Sequence, residues 1–190
     1  RDEVIEAYET DVGRVAAACL GPPPEPATVF YQKHMTHHML AGFPLAWAEG
    51  VTNAFLIRRP EAVVASYAAK RERATLDDLG FVRQRELFEA IAARVGAPPP
   101  VLDADAIRRT PEATLTRLCA ALAIPFDRAM LAWPAGPRRS DGLWARHWYD
   151  AVERSTGFTP PPPAAELDDA GRARVEAARP AYEALAAYAL

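Results

Sequence analysis

Asn53-Ala54-Phe55-Leu56-Ile57-Arg58-Arg59-Pro60-Glu61-Ala62-Val63-Val64-Ala65-Ser66-Tyr67 is the stretch that decides how this chain folds. Phe55, Leu56 and Ile57 form a short apolar run, which suits a strand of a parallel sheet covered on both faces. The run stops at a charge. Pro60 fits the first position of a helix, where its missing N–H would be unpaired anyway, and Glu61 suits the positive end of the helix dipole. The segment therefore predicts strand, sharp turn, helix. In open α/β sheets ligands collect at the carboxyl ends of strands, where helix N-termini point N–H groups at anions. Arg58 sits at that edge, and its planar fork suits a phosphate or sulfate. Ser66 follows eight residues later. With the helix starting at Pro60 it lies ~9 Å further along, too deep to be a cap. Its hydroxyl can meet the same anion only if that anion lies alongside the helix. Taken singly, Arg58 also reads as a solvated charge and Ser66 as a small residue packed under the sheet.

Outward from this segment, the bulk numbers bound the rest. The chain has 190 residues, half of them hydrophobic, enough for one well-buried core and a single domain over residues 1–190. A net charge of −3 argues against a general nucleic-acid or membrane-surface binder, so any anion site must be local. Cys19 and Cys119 both fall in helical apolar patterns, so free thiols and a reducing cytoplasm are expected, with no metal spacing. No run of about 18 apolar residues occurs.

Apolar residues from Val4 to Cys19 recur every three to four positions, predicting a helix over 2–20 that Gly21 and three prolines end. Thr28–Gln32, with Val29, Phe30 and Tyr31, reads as another strand leading into Lys33. His34–Leu40 and Leu45–Glu49 read as short helices or turns, and 76–95 as one long helix. Val101 and Leu102 make a third strand, ending at Asp103. Thr110 is read as the cap of a helix beginning at Pro111, with Leu115, Leu118, Cys119 and Leu122 as its buried stripe. Residues 133–141 read as a loop and 144–154 as helix. The prolines from Pro160 must be extended, and a final helix over 166–188 carries Val175, Ala178, Tyr182 and Leu185 as its stripe. Strands near 30, 55 and 101 separated by helices predict an α/β class, a parallel sheet flanked by helices.

Arg-x-Pro-x-x-x-x-x-Ser-Tyr after an apolar strand resembles the 3′-phosphate-binding segment of the sulfotransferases that use 3′-phosphoadenosine 5′-phosphosulfate, where the Arg and the Ser both hold that phosphate. Carried over, these are Arg58 and Ser66. Further stretches resemble a bacterial and plant sulfotransferase-like group, some of whose members carry misleading aminotransferase-like labels. They are Phe30-Tyr31-Gln32-Lys33-His34-Met35, Asp77-Asp78-Leu79-Gly80-Phe81, Pro111-Glu112-Ala113-Thr114-Leu115, Met130-Leu131-Ala132-Trp133-Pro134-Ala135-Gly136-Pro137, Asp141-Gly142-Leu143-Trp144 and Ser155-Thr156-Gly157-Phe158. The resemblance implies a P-loop NTPase/sulfotransferase-like fold. Neither Gly-x-x-x-x-Gly-Lys-Ser/Thr nor Pro-Arg-Ser-x-Ser-Thr occurs, so the first strand and phosphate loop of such a fold are expected to be missing from residues 1–190, ahead of Arg1.

The resemblance also implies that Lys33 meets the bridging oxygen of the phosphosulfate, where a preorganised ammonium stabilises charge on the departing phosphate. The family's base, a His two residues after that Lys, is replaced by Met35. His34 and His37 are the candidate substitutes, with His38 beside them, since imidazole titrates near working pH. A role capping the sheet edge, or a metal held by the three, stays open. Arg138, Arg139 and Gly142 match, loosely, the late segment that closes over the 3′-phosphate. The implied activity is a cytoplasmic, metal-independent transferase moving a sulfuryl group to a hydroxyl or amine of a small-molecule acceptor. A P-loop kinase or nucleotide hydrolase, with Asp103 on Mg²⁺, and a non-catalytic scaffold are the competing readings. The acceptor and the oligomeric state are not written in the sequence.

Overall fold

The computed structural model describes residues 2–69, 74–138, 141–143 and 149–190. The opening segment folds as its residues dictate, with β1 at Phe55–Ile57 and α3 at Pro60–Ala68, Pro60 in the first turn and Glu61 beside it. β1 pairs in parallel with β2, Val101–Asp103, in the register Phe55–Val101, Leu56–Leu102 and Ile57–Asp103. The other side of β2 is taken by the C-terminal tail, through a parallel bridge from Val101 to Ala189 and Leu190 N donating to Val101 O at 3.0 Å. The outer edge of β1 is closed at one point, where Gln84 Nε2 donates to Leu56 O at 2.9 Å.

Around this pair stand α1 (Asp2–Ala7), α2 (Val12–Cys19), α4 (Leu76–Leu79), α5 (Phe81–Val95), α6 (Ala104–Arg109), α7 (Pro111–Ala121), α8 (Asp150–Glu153) and α9 (Asp169–Ala186). Three 3₁₀ turns, at Thr36–His38, Ala46–Gly50 and Arg128–Leu131, complete the elements among the described residues. α9 packs on both α3 and α5. Its stripe reaches the sheet, where Leu185 joins Ile57, Phe88 and Val101 in a cluster closed by Phe55, whose ring meets Phe88 edge-on at 5.3 Å. Ala178 and Ala181, small enough for close approach, form a second cluster with Phe81.

Five expectations change. Thr28–Gln32 is not a strand: the side of β2 away from β1 is occupied by the tail, and Val29, Phe30 and Tyr31 lie exposed with no ladder to join, so their β propensity has nothing to act on. The helix over 2–20 is broken, because Asp11 accepts from Arg14 N and starts α2 afresh. The long helix over 76–95 is two, divided at Gly80, whose φ of 76° ends α4 in the left-handed region. Thr110 makes no capping bond to the turn that follows; its hydroxyl donates back to Ala106 O at 3.2 Å. The sheet is also open on one side at β1, since Leu56 is 58% exposed while Ile57 is 1%. Residues 144–148 of the helix read over 144–154 lie outside the described residues, and 150–153 are helical.

Candidate functional site

Residues 58 and 59 leave the end of β1 as neighbours and take different tasks. Arg59 Nε bonds to Asp105 Oδ2, and the Asp105 side chain is only 4% exposed. A carboxylate so deeply placed requires a cation, and Arg59 supplies it. Arg58 meets no carboxylate among the described residues. It faces a cleft of about 250 Å³ on the flank of α3.

One wall of that cleft is α3, through Ala62, Ala65 and Ser66; the other is the extended chain from Pro162 to Ala165. Arg58 and Ser66 therefore border the same space, as their spacing along a strand and a following helix requires if a ligand lies alongside the helix. Glu61 also lines the cleft, but Arg179 NH2 donates to its Oε1 at 3.2 Å and offsets its charge. Among the lining groups Arg58 is thus the cation left without a carboxylate, which gives the cleft a local preference for an anion in a chain of negative net charge.

Asp103, at the end of β2, is fully engaged. Its Oδ1 accepts from the backbone N–H groups of Asp105 at 2.8 Å and Ala106 at 2.9 Å, starting α6. Its Oδ2 accepts from the Tyr182 hydroxyl at 3.1 Å. Burial first, then the Asp103 charge, pushes the Tyr182 hydroxyl up to about 12. A carboxylate with both oxygens in use is poorly placed to bind Mg²⁺, the task a kinase-like reading gives it.

The other expected site residues stand elsewhere. Lys33 is exposed, its Nζ 5.7 Å from the centre of the Tyr149 ring, and does not line the cleft. The chain at 33–35 has no helical structure, and a 3₁₀ turn begins only at Thr36, so His34 and His37 do not share a helix face. His34 lays its ring near Trp47 at 5.2 Å, and burial there lowers its pKa from the ordinary histidine value. Gln32 fixes its tautomer: the amide Nε2 donates to Cys19 O at 2.7 Å, which turns Gln32 Oε1 toward His34 Nε2 at 3.2 Å. Nε2 must then carry the proton, leaving the Nδ1 lone pair free to accept one. His37 stacks edge-on against His38 at 4.4 Å and borders a second cleft of about 370 Å³ beside Asp77 and Glu86. Arg83 braces that cleft, donating to Met39 O at 2.6 Å and Leu40 O at 2.9 Å.

Arg138 is exposed, and its backbone N–H donates to Asp141 Oδ2 at 2.8 Å. Gly142 packs against the Tyr8 hydroxyl, which a Cβ there would strike, and Leu143 N donates to the same oxygen at 3.1 Å. Neither residue lines the cleft, and Arg139 lies outside the described residues. Trp133 donates Nε1–H to Ser155 Oγ at 2.9 Å and meets Phe158 edge-on, so it packs the chain that leads to the proline run. No three metal-ligating side chains converge among the described residues. Cys19 and Cys119 are free thiols. No described helix is long and apolar enough to cross a membrane.

The family model of the sulfotransferase domain matches residues 1–189. The chain belongs to the sulfotransferase family. Among curated proteins it is similar to branched-chain-amino-acid aminotransferase-like protein 2 of Arabidopsis thaliana, 35% identical over 161 residues, which is 85% of this chain and 28% of that protein. It is likewise similar to branched-chain-amino-acid aminotransferase-like protein 1 of the same plant, 38% identical over 131 residues, 69% of this chain and 23% of that protein. This sulfotransferase-family chain thus spans about a quarter of the length of the curated relatives it matches. No solved structure matches it. The α/β architecture of helices on a small parallel sheet is compatible with a sulfotransferase-like fold.

Sequence reasoning overlooked two parts of the site. Arg59 was legible as half of an Arg-Arg pair, but its partner Asp105 is 46 residues away and invisible without the β1–β2 register. The proline run signalled an extended chain, yet nothing local says that it returns to α3.

Proposed function

We propose that this domain transfers a sulfuryl group from 3′-phosphoadenosine 5′-phosphosulfate to a hydroxyl or amine of a small molecule, with Arg58 and Ser66 holding the 3′-phosphate. The observation that carries this reading is the division between neighbours: Arg59 is spent on Asp105, while Arg58 shares a cleft with Ser66 and lacks a carboxylate among the described residues. A guanidinium left without a counter-ion in a pocket is suited to a ligand's anion. In the reaction the acceptor's oxygen or nitrogen forms a bond to sulfur, the bond from sulfur to the bridging oxygen breaks, and the acceptor's proton passes to a base. His34 Nδ1 has the protonation state this base requires, and its lowered pKa keeps it neutral at pH 7. Lys33 is the cation assigned to the leaving phosphate. The aminotransferase-like names belong to plant proteins roughly four times as long as the matched segment.

Isothermal titration with adenosine 3′,5′-bisphosphate tests the proposal. Binding should weaken about tenfold in Arg58→Ala, a loss of ~1.4 kcal/mol. Equal affinity in the wild type and Arg58→Ala would remove the cleft from consideration.

A further inference from the structure

We infer that Arg108, a residue outside the cleft, positions one of its walls, and that this wall, the extended chain at Pro162 and Pro163, receives the nucleoside portion of the ligand whose phosphate meets Arg58 and Ser66. The inference rests on reading the cleft as a nucleotide site.

The two walls differ in chemistry. Arg58 and Ser66 bring a cation and a hydroxyl, whereas Pro160–Pro163 have no backbone N–H at all. A stretch without donors cannot make an anion-binding nest, which is built from successive N–H groups. What it offers is a row of ring C–H surfaces, facing Ala62 and Ala65 across the cleft. That side suits the apolar faces of a sugar and a base, and it leaves the phosphate to the other.

Among the described residues the wall is tied by hydrogen bonds at its ends. At its start Arg108 donates Nε–H to Thr159 O at 2.8 Å, and its NH2 group donates to Thr159 Oγ1 at 2.9 Å and Pro160 O at 3.0 Å. At its far end Arg172 donates to Leu167 O. Between them, residues 161–166 make no hydrogen bond among the described residues. A polyproline segment is stiff and rises ~3.1 Å per residue, so anchoring Pro160 sets where Pro162 lies about 6 Å on. Three bonds from one guanidinium, all to neutral acceptors, fix that starting point.

Arg108 belongs to α6, the same short helix whose Asp105 holds Arg59 at the head of α3. One helix therefore grips both walls, and the distance across the cleft is set by α6 rather than by the ligand. A wall held in place beforehand spares the ordering cost that a loose loop would bear on binding.

The test is titration with adenosine 3′,5′-bisphosphate, paired with thermal unfolding, on four proteins: wild type, Arg58→Ala, Arg108→Ala and Pro162→Gly/Pro163→Gly. The glycine variant keeps the anchor and loosens the wall, so it serves even if Arg108→Ala folds poorly. Affinity should fall about fivefold in both wall variants, ~1 kcal/mol of lost preorganisation, with the unfolding midpoint of the glycine variant near that of the wild type. Arg108→Lys should recover part of the affinity by keeping one donor on Pro160 O. If Arg58→Ala weakens binding while both wall variants bind like the wild type, the wall is not part of the site and the inference is overturned, with the phosphate reading intact. If Arg58→Ala itself binds normally, the nucleotide reading falls and takes the inference with it.

Discussion

The flank of α3 and the segment from Lys33 to His38 are the two regions that the proposed transfer would use, and they are built differently. The first is made of side chains set by the core: Arg58 leaves a strand whose last residue, Ile57, is 1% exposed, and Ser66 rides on a helix packed against α9. The second is irregular chain and a single 3₁₀ turn, fastened by Gln32 to Cys19 O and by Arg83 to Met39 O and Leu40 O. Rigid elements hold a binding group within tenths of an ångström, and tethered loops do so less well. The nucleotide-holding end of the proposed site is thus preformed, and the chemistry-bearing end depends on a few polar tethers.

The contrast can be broken most sharply at Arg58 and Arg59, which are adjacent in sequence and opposite in role. Arg59→Ala leaves the buried Asp105 carboxylate unpaired and should cost about 3 kcal/mol in urea unfolding, the low end of the range for a broken buried pair because Arg59 is 39% exposed. Adding Asp105→Ala should recover part of that loss, since no orphan charge remains. Arg58→Ala should leave stability within about 0.5 kcal/mol of the wild type while it weakens nucleotide binding. A large loss of stability in Arg58→Ala would mean that it too is structural, and the contrast would disappear.

A smaller effect is expected at Tyr182. Tyr182→Phe removes the hydroxyl from Asp103 Oδ2 and should cost about 1 kcal/mol, the worth of one partly buried bond to a charged acceptor. It should also change the alkaline limb of stability. Because the folded hydroxyl is pushed up from 10.0 to about 12, the native state holds a proton that the unfolded chain releases, so stability falls as pH rises across that window. Tyr182→Phe should flatten that fall, and an unchanged slope between pH 10 and 12 would place the titration elsewhere.

The same contrasts separate what is local in the sequence from what only the closed fold creates. β1, the turn at Arg58 and α3 were legible because every residue from Phe55 to Glu61 speaks for the same local structure, and β2 because Val101 and Leu102 sit between prolines and a capping Asp. Strand and helix geometry allow Arg58 and Ser66 to border one space, the family resemblance pairs them, and the Pro162–Ala165 wall that makes that space a cleft is not legible in either. Thr28–Gln32 misled because β propensity needs a neighbouring strand, and pairing is a property of the fold rather than of the segment. Arg59 with Asp105, Arg108 with Thr159, and Tyr182 with Asp103 are separated by 46, 51 and 79 residues, and such partners emerge only when the chain is closed. The positions of Lys33, His34 and His37 were the hardest to foresee, since they depend on where the 3₁₀ turn at Thr36 begins.

The smallest expected effect sharpens the loosely tethered side of the comparison. Partial burial lowers the His34 pKa, so between that lowered value and the ordinary value of 6.5 the unfolded chain binds more protons than the native one. By linkage His34 makes stability rise with pH through that window, and the penalty for charging it is fully present only below the folded pKa. Trp47→Ala should open the ring to water and move its midpoint, followed by proton NMR of the imidazole, up toward 6.5. His34→Gln should flatten the acidic limb of stability while leaving affinity for adenosine 3′,5′-bisphosphate unchanged, because His34 lies outside the α3 cleft. A midpoint that stays put in Trp47→Ala would mean that burial by this contact is not what holds the imidazole neutral, and His34 would lose the feature that recommends it over His37 as the base.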